Sequence, residues 1–323
     1  MDDPQLSRLL HESVEDVEPT DRLVAIRQQT RPRRARRWYA AGGMVLATAA
    51  VVTGIAIAVQ PSADPGPGPS TEPTASDTGS PDTHAVPAYY VGDTPQGDRL
   101  FREFHQTKSL DSLASALRAL TTGAFDPDYR TSWPEGAFAG GWIDYPSGLA
   151  TVQLDDASLH DRPAGMSESQ ARLAIQQVVY TVQGVAQQRI PVQFQVDGQA
   201  IDQVYGVPTS EPLANAPELD VLALVSISNP TEGRVVERSF SADGVASSFE
   251  GTVPWELRAP DGRVVKTYSA QGTMEDHLTP WETGPIDVSD LPPGTYTFVA
   301  MTDDPTGGEG GGPTTDTRTV VIR

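Results

Sequence analysis

Serine, histidine and the acidic side chains are the groups in this 323-residue chain that could do chemistry, since cysteine is absent. Nucleophilic serine chemistry often uses Gly-x-Ser-x-Gly at a strand-to-helix turn. Gly165-Met166-Ser167 begins that way, but Glu168 and Ser169 follow, and Ser167 reads better as a helix cap. Zinc needs grouped His, Cys or acidic ligands. His84, His105, His160 and His277 stand apart, and no H-E-x-x-H occurs. His160 beside Asp155, Asp156 and Asp161 is the densest group, and it reads as a solvated acidic loop. Asp144 with Asp155 and Asp156 offers carboxylates near strand ends. Glycoside cleavage, however, needs two at a set separation with one pKa raised. Asp303-Asp304 departs from the alternating pattern of a calcium loop. No glycine-rich phosphate loop follows a predicted strand, and no basic aromatic stripe suits nucleic acid. The expectation is a non-enzymatic chain without metal or cofactor.

Recognition by aromatic side chains fits better. The turn-rich stretch DPDYRTSWPEG (126–136) carries Tyr129 and Trp133, and Trp142 follows shortly after. Aromatics in loops make good partner anchors, so Tyr129, Trp133 and Trp142 are the candidate contact surface, with core packing as the alternative.

The elements that would position them fall in two regions. In the first, 86–207, Val86–Val91 and Leu100–Gln106 read as strands, with Gly92-Asp93 as a turn between them. Leu110, Leu113, Leu117 and Leu120 form one helical stripe stopped at Gly123. Short strands follow at Trp142-Ile143 and Ala150–Leu154. Ser167 with Gln170 fits a capping box before a helix carrying Ala171, Ala174, Ile175, Val178, Val182 and Val185 on one stripe. Ile190–Val196 is a strand, and Asp197-Gly198 a tight turn. The expected fold class is a two-layer α+β domain, with both helices on one face of a single sheet. After a boundary at 208–219, the second region, 220–323, shows seven short strands and no helix. They suggest an all-β immunoglobulin-like sandwich, with Trp255 and Trp281 as its large core aromatics. DDPTGGEGGGPTT (303–315) reads as a mobile hairpin tip.

What precedes these domains reads as a tether. Tyr39–Val59 is 21 residues without a charge, long enough as a helix to cross a bilayer. Five arginines within residues 31–37 precede it, with Trp38 and Tyr39 at the interface. By the positive-inside rule the N-terminus is cytoplasmic and the folded domains are extracytoplasmic. Residues 1–38 would be a cytoplasmic tail, and the Pro-, Gly-, Ser- and Thr-rich 60–85 a solvated spacer. The chain beyond residue 38 carries 15 basic and 36 acidic residues, a balance that repels nucleic acid and anionic lipid.

Longer phrases carry a family resemblance. YYVGD, GDRLFREFH, LASALRALTTGAFDPDYRTSWP, QARLAIQQVVYTV and VQFQVDG resemble the sporulation and spore germination domain called GerMN. VSISNPTEGRVV, FEGTVPWELRAPDGRVV and WETGPIDVSDLPPGTYTFVAM resemble the immunoglobulin-like domain of bacterial spore germination that often follows it. The arginine- and alanine-rich anchor and acidic outer region are similar to those of actinobacterial envelope proteins. The resemblance implies a non-catalytic module, related to domains that build envelope assemblies or assist a sensor kinase. This chain departs from the lipoprotein form in lacking the acylated cysteine, and it has one GerMN-like domain where the germination protein has two. The expected function is a membrane-anchored interaction or scaffold module of the cell envelope, with an envelope or membrane protein, or a second copy, as partner. The alternative is an envelope protein that binds or weakly hydrolyses peptidoglycan or another glycan.

Overall fold

The computed structural model describes residues 83–303 and 312–323. The stretches read as cytoplasmic tail, membrane span and spacer, and most of the hairpin tip, lie outside the described residues. Among those described, no helix is long and apolar enough to cross a membrane.

The first domain opens with a long hairpin, β1 (His84–Thr94) and β2 (Gly97–Thr107). Its turn falls at Pro95-Gln96, not at Gly92-Asp93. Gly92 serves a close approach instead: a Cβ there would sit 2.7 Å from the Phe101 ring. Helix α1 (Ser112–Thr122) follows, capped by Asp111 Oδ1, which accepts from the Ala114 N–H at 2.9 Å. Leu113, Leu117 and Leu120 are buried as expected. Leu110 is 99% exposed, because the cap places it ahead of the helix and off the stripe. β3 (Tyr129–Arg130) adds to β1, giving a sheet of order β2-β1-β3.

A second sheet is built from β4 (Phe138–Asp144), β5 (Leu149–Leu154), β6 (Val192–Val196) and β7 (Gln199–Ala200), with β4 at its edge. Helix α2 (Glu168–Ala186) is the crossover between the parallel strands β5 and β6. Its capping box is formed, with Ser167 and Gln170 bonding reciprocally at 3.2 and 2.9 Å. A small hairpin, β8 (Gln203–Val204) and β9 (Val207–Pro208), closes the domain.

The single sheet expected from sequence is therefore two sheets, and α2 lies between them. Ala174, Val178 and Val182 pack toward Val152 on β5 and Val192 and Phe194 on β6. On the other side Leu173 and Tyr180 cluster with Val91 and Leu100. Thr181 Oγ1 accepts from the Tyr89 N–H at 3.1 Å, and Gly184 lets Pro87 close in. A helix buried on two sides needs more than one apolar stripe. In α2, Thr181 and Gln177 are buried as well.

The boundary segment packs against the first domain. Val192 and Leu213 exchange backbone hydrogen bonds of 2.9 and 2.8 Å, and Tyr180 Oη donates to the Ala216 carbonyl at 2.6 Å. One helical turn, α3 (Glu218–Val221), leads into the second domain. Its strands are β10 (Val225–Asn229), β11 (Arg234–Val236), β12 (Ser239–Ala246), β13 (Thr252–Arg258), β14 (Val264–Gln271), β15 (Thr279–Asp287), β16 (Gly294–Met301) and β17 (Thr315–Ile322).

These eight strands make one continuous curled sheet, of order β10-β12-β15-β14-β13-β16-β17-β11, where two separate sheets were expected. β14 and β15 join the two limbs through the single pair Gln271 and Glu282. The limbs fold over a shared core in which Phe240 meets Phe298 edge-on, with centroids 5.9 Å apart. Trp255 and Trp281 are in that core, as the sequence suggested. Asp261-Gly262 forms the β13–β14 turn, where the Gly262 N–H bonds the Ala259 carbonyl at 2.8 Å.

Candidate functional site

The three sequence-predicted aromatics do not form one surface. Trp133 is 2% exposed: its ring packs against Phe138, Phe194 and Tyr205, and its Nε1–H donates to the Ala174 carbonyl at 3.0 Å. That burial removes it from any contact surface. Tyr129 stacks on Phe101 at 4.8 Å and turns its hydroxyl into the junction between the two domains. Trp142 alone points outward, 51% exposed on edge strand β4, with Tyr145 exposed just beyond the strand end. Trp142 is held there because neighbouring Gly141 faces inward. A Cβ on Gly141 would meet the Thr151 carbonyl at 2.7 Å and Leu113 at 3.2 Å.

The candidates Ser167, Asp144, Asp156 and His160 have ordinary structural partners. Ser167 caps α2. Asp144 accepts from Ser147 Oγ at 2.6 Å, and Asp156 caps the turn at Ser158. His160 lies between Asp161 and Asp202, at 2.8 and 3.1 Å, and the hydrogen bond to Asp161 pushes its pKa up. Among the described residues no group of three or more His, Asp or Glu side chains is placed to hold a metal ion.

The densest polar chemistry lies where β2 and the loop after α1 meet β10 and β17. Arg318, 2% exposed, donates through Nη1 to Asp126 Oδ2 at 2.5 Å, Asp316 Oδ1 at 3.0 Å and Tyr129 Oη at 2.9 Å. Its Nη2 donates to the Ile227 carbonyl at 2.9 Å. Asp316 also accepts from the Tyr129 hydroxyl, from the Thr317 N–H at 2.8 Å and from the Ile227 N–H at 2.6 Å. Glu103 accepts from the N–H groups of Phe125 and Asp126, each at 2.9 Å, and has His105 Nε2 at 3.4 Å. Burial pushes the Glu103 carboxyl up, but these donors and the Arg318 charge outweigh it and hold its pKa below the usual range. Burial pushes Asp126 up to about 7 against the pull of Arg318.

Around this cluster the domains meet over a wider front. The Arg102 N–H donates to Ser226 Oγ at 3.2 Å and its Nη2 to Ser228 Oγ at 2.9 Å. The Ala223 N–H bonds the Leu100 carbonyl at 2.9 Å. Glu218 pairs with Arg189 and accepts from the Leu278 N–H at 3.1 Å. Sequence reasoning missed this junction. Asp126 and Arg318 are 192 residues apart, and only the fold brings them together. The usable hint was an Asp and an Arg at alternate positions of a C-terminal strand (Asp316, Arg318), where apolar residues face a core.

An open groove of about 900 Å³ also runs between the β1–β2 turn, the start of α2 and the boundary segment. Leu173, Val207, Leu213 and Val221 line it together with Arg99 and Arg172, an amphipathic lining suited to binding rather than to proton transfer.

The arrangement is that of a two-domain module with a buried polar junction. Residues 87–202 match the family described as sporulation and spore germination, and residues 224–309 match the immunoglobulin-like domain of bacterial spore germination. The chain thus carries a GerMN domain followed by an immunoglobulin-like spore-germination domain. It is similar at 15% identity to the tandem GerMN domains of the sporulation protein GerM from Bacillus subtilis. That similarity covers 65% of this chain and 63% of that one, with a TM-score of 0.33. The endo-beta-1,4-mannanase from Thermotoga petrophila is similar at 10% identity, over 50% of this chain and 37% of that one, with a TM-score of 0.25. No curated protein matches the chain.

Proposed function

We propose that this protein is a membrane-tethered, extracytoplasmic interaction or scaffold module of a bacterial cell envelope. Tyr39–Val59 serves as a single membrane span with a cytoplasmic N-terminus, and the following spacer holds the two domains clear of the bilayer. The observation that carries the reading is the junction. Two domains of non-catalytic families are fastened by a buried Arg318–Asp126–Asp316–Tyr129 cluster. Such a fastening suits a rigid presenting body more than two independent binders. The aromatic edge at Trp142 and Tyr145 supplies the contact surface, because exposed aromatics bury large area at low entropic cost. An envelope or membrane protein is the partner class.

In-cell crosslinking of the full-length chain, beside a Trp142→Ala form, tests this. A defined envelope or membrane protein captured by the parent and lost from the variant supports the reading. Cell-wall glycan fragments as the captured species would favour the glycan-binding alternative, for which Trp142 and Tyr145 are natural stacking platforms. Equal capture by both forms would remove the Trp142 edge from the account.

A further inference from the structure

We propose that the junction between the two domains is a proton-tightened latch, in which Asp126 takes up a proton as the domains dock. The basis is an excess of buried carboxylate. Asp126, Asp316 and Glu103 are each under 10% exposed, and one guanidinium, Arg318, lies among them. Asp128 stands at the edge, where its Oδ2 accepts from Thr317 Oγ1 at 2.9 Å. Glu232 accepts from the Thr319 N–H at 2.8 Å, on the far side of the same strand. From β2, His105 faces Glu103 and bonds the Tyr90 hydroxyl at 2.9 Å. Leaving aside His105 at its edge, the buried set carries three carboxyl groups against one guanidinium. Buried charge without a partner is costly, so such a set holds a proton rather than ionise fully.

Which carboxyl holds it follows from the donors. Asp316 receives four: Tyr129 Oη, the Thr317 and Ile227 N–H groups, and Arg318. Glu103 has three: the Phe125 and Asp126 N–H groups and His105. Asp126 has two, Arg318 and the Asp128 N–H. Hydrogen bonds to the charged form favour ionisation, so Asp126 is the least stabilised as an anion. Burial raises both aspartates, Asp126 to about 7 and Asp316 as well, but Asp316 has twice as many donors to offset it. When the domains part, Asp126 is solvated and returns toward an ordinary aspartate near 3.9.

The sign follows. The docked state binds the proton more tightly than the parted state, so docking is strongest below the parted-state value. It weakens as pH rises from about 4 to about 7, by up to tenfold per pH unit, and is flat above that. Acidification thus tightens the docked body, and its rare openings become more frequent as pH rises toward neutrality.

Hydrogen exchange of the full-length chain reads this, because it reports rare openings. The reporters are the junction segments 222–229 and 315–320, with the interior of α2 as an internal reference and rates corrected for intrinsic pH dependence. Corrected protection of the junction is expected to fall several-fold to tenfold per unit between pH 5 and 7, while α2 stays constant. Asp126→Asn should remove that slope, and Asp128→Asn should retain it. A junction whose corrected protection is independent of pH, or a slope unchanged in Asp126→Asn, would overturn the proposal. So would α2 losing protection in parallel, since that would mark global unfolding.

Discussion

Arg318 and Trp133 show how differently a single side chain is read before and after folding. Removing the Arg318 guanidinium leaves Asp126 and Asp316 buried beside each other without a cation. An Arg318→Met chain should therefore lose about 3–5 kcal/mol in urea denaturation. A loss under about 1 kcal/mol would mean that water already enters the cluster. Trp133 and Trp142 give the complementary test. Trp133→Ala opens a cavity among Phe138, Phe194 and Tyr205 and should cost about 3–5 kcal/mol. Trp142→Ala touches an exposed edge and should stay within about 0.5 kcal/mol of the parent. In sequence the two tryptophans look alike, nine residues apart in a glycine- and turn-rich region. Burial is a tertiary property, and neither residue lies in a run long enough for periodicity to mark its face. The charged cluster was equally hidden, since its members are distributed over β2, a loop and β17.

Elements were more legible than single residues wherever a local rule governed them. The α2 start was readable because a capping box is a contact between residues three apart. Ser167→Ala should cost about 1 kcal/mol, measured by thermal or urea unfolding, and an unchanged midpoint would show that α2 is held by packing alone. Asp197-Gly198 and Asp261-Gly262 were readable as turns for the same local reason. Gly92 was misread because glycine serves turns and close approaches alike, and here the Phe101 ring decides. Gly141 is a second close-approach glycine. Gly141→Ala would push its methyl toward the Thr151 carbonyl and Leu113 and should destabilise by about 1–3 kcal/mol. Helix α2 was expected on one sheet because its strongest stripe is apolar. Its second contact surface uses Thr181, Gln177 and Tyr180, which hydropathy does not flag as buried.

On the scale of the whole molecule, the order of domains could be read from sequence, but their joining could not. Two composition patterns, one with helices and one all strands, separate at the proline-containing boundary near residues 208–219. That boundary is no free linker: Leu213 and Ala216 bond into the first domain, and Glu218 ties Arg189 to Leu278 of the second. To present a partner surface as proposed, the two domains must act as one body. The chain has no cysteine, so nitroxide labels can be placed singly on Leu110→Cys and Tyr268→Cys, exposed sites on the first and second domains. The measurement to make is the distance distribution between them in the full-length protein at pH 6. A single narrow distribution, broadened by Arg318→Met, is the predicted result. A broad distribution in the parent chain, unaffected by that change, would contradict the docked body and leave two independent domains.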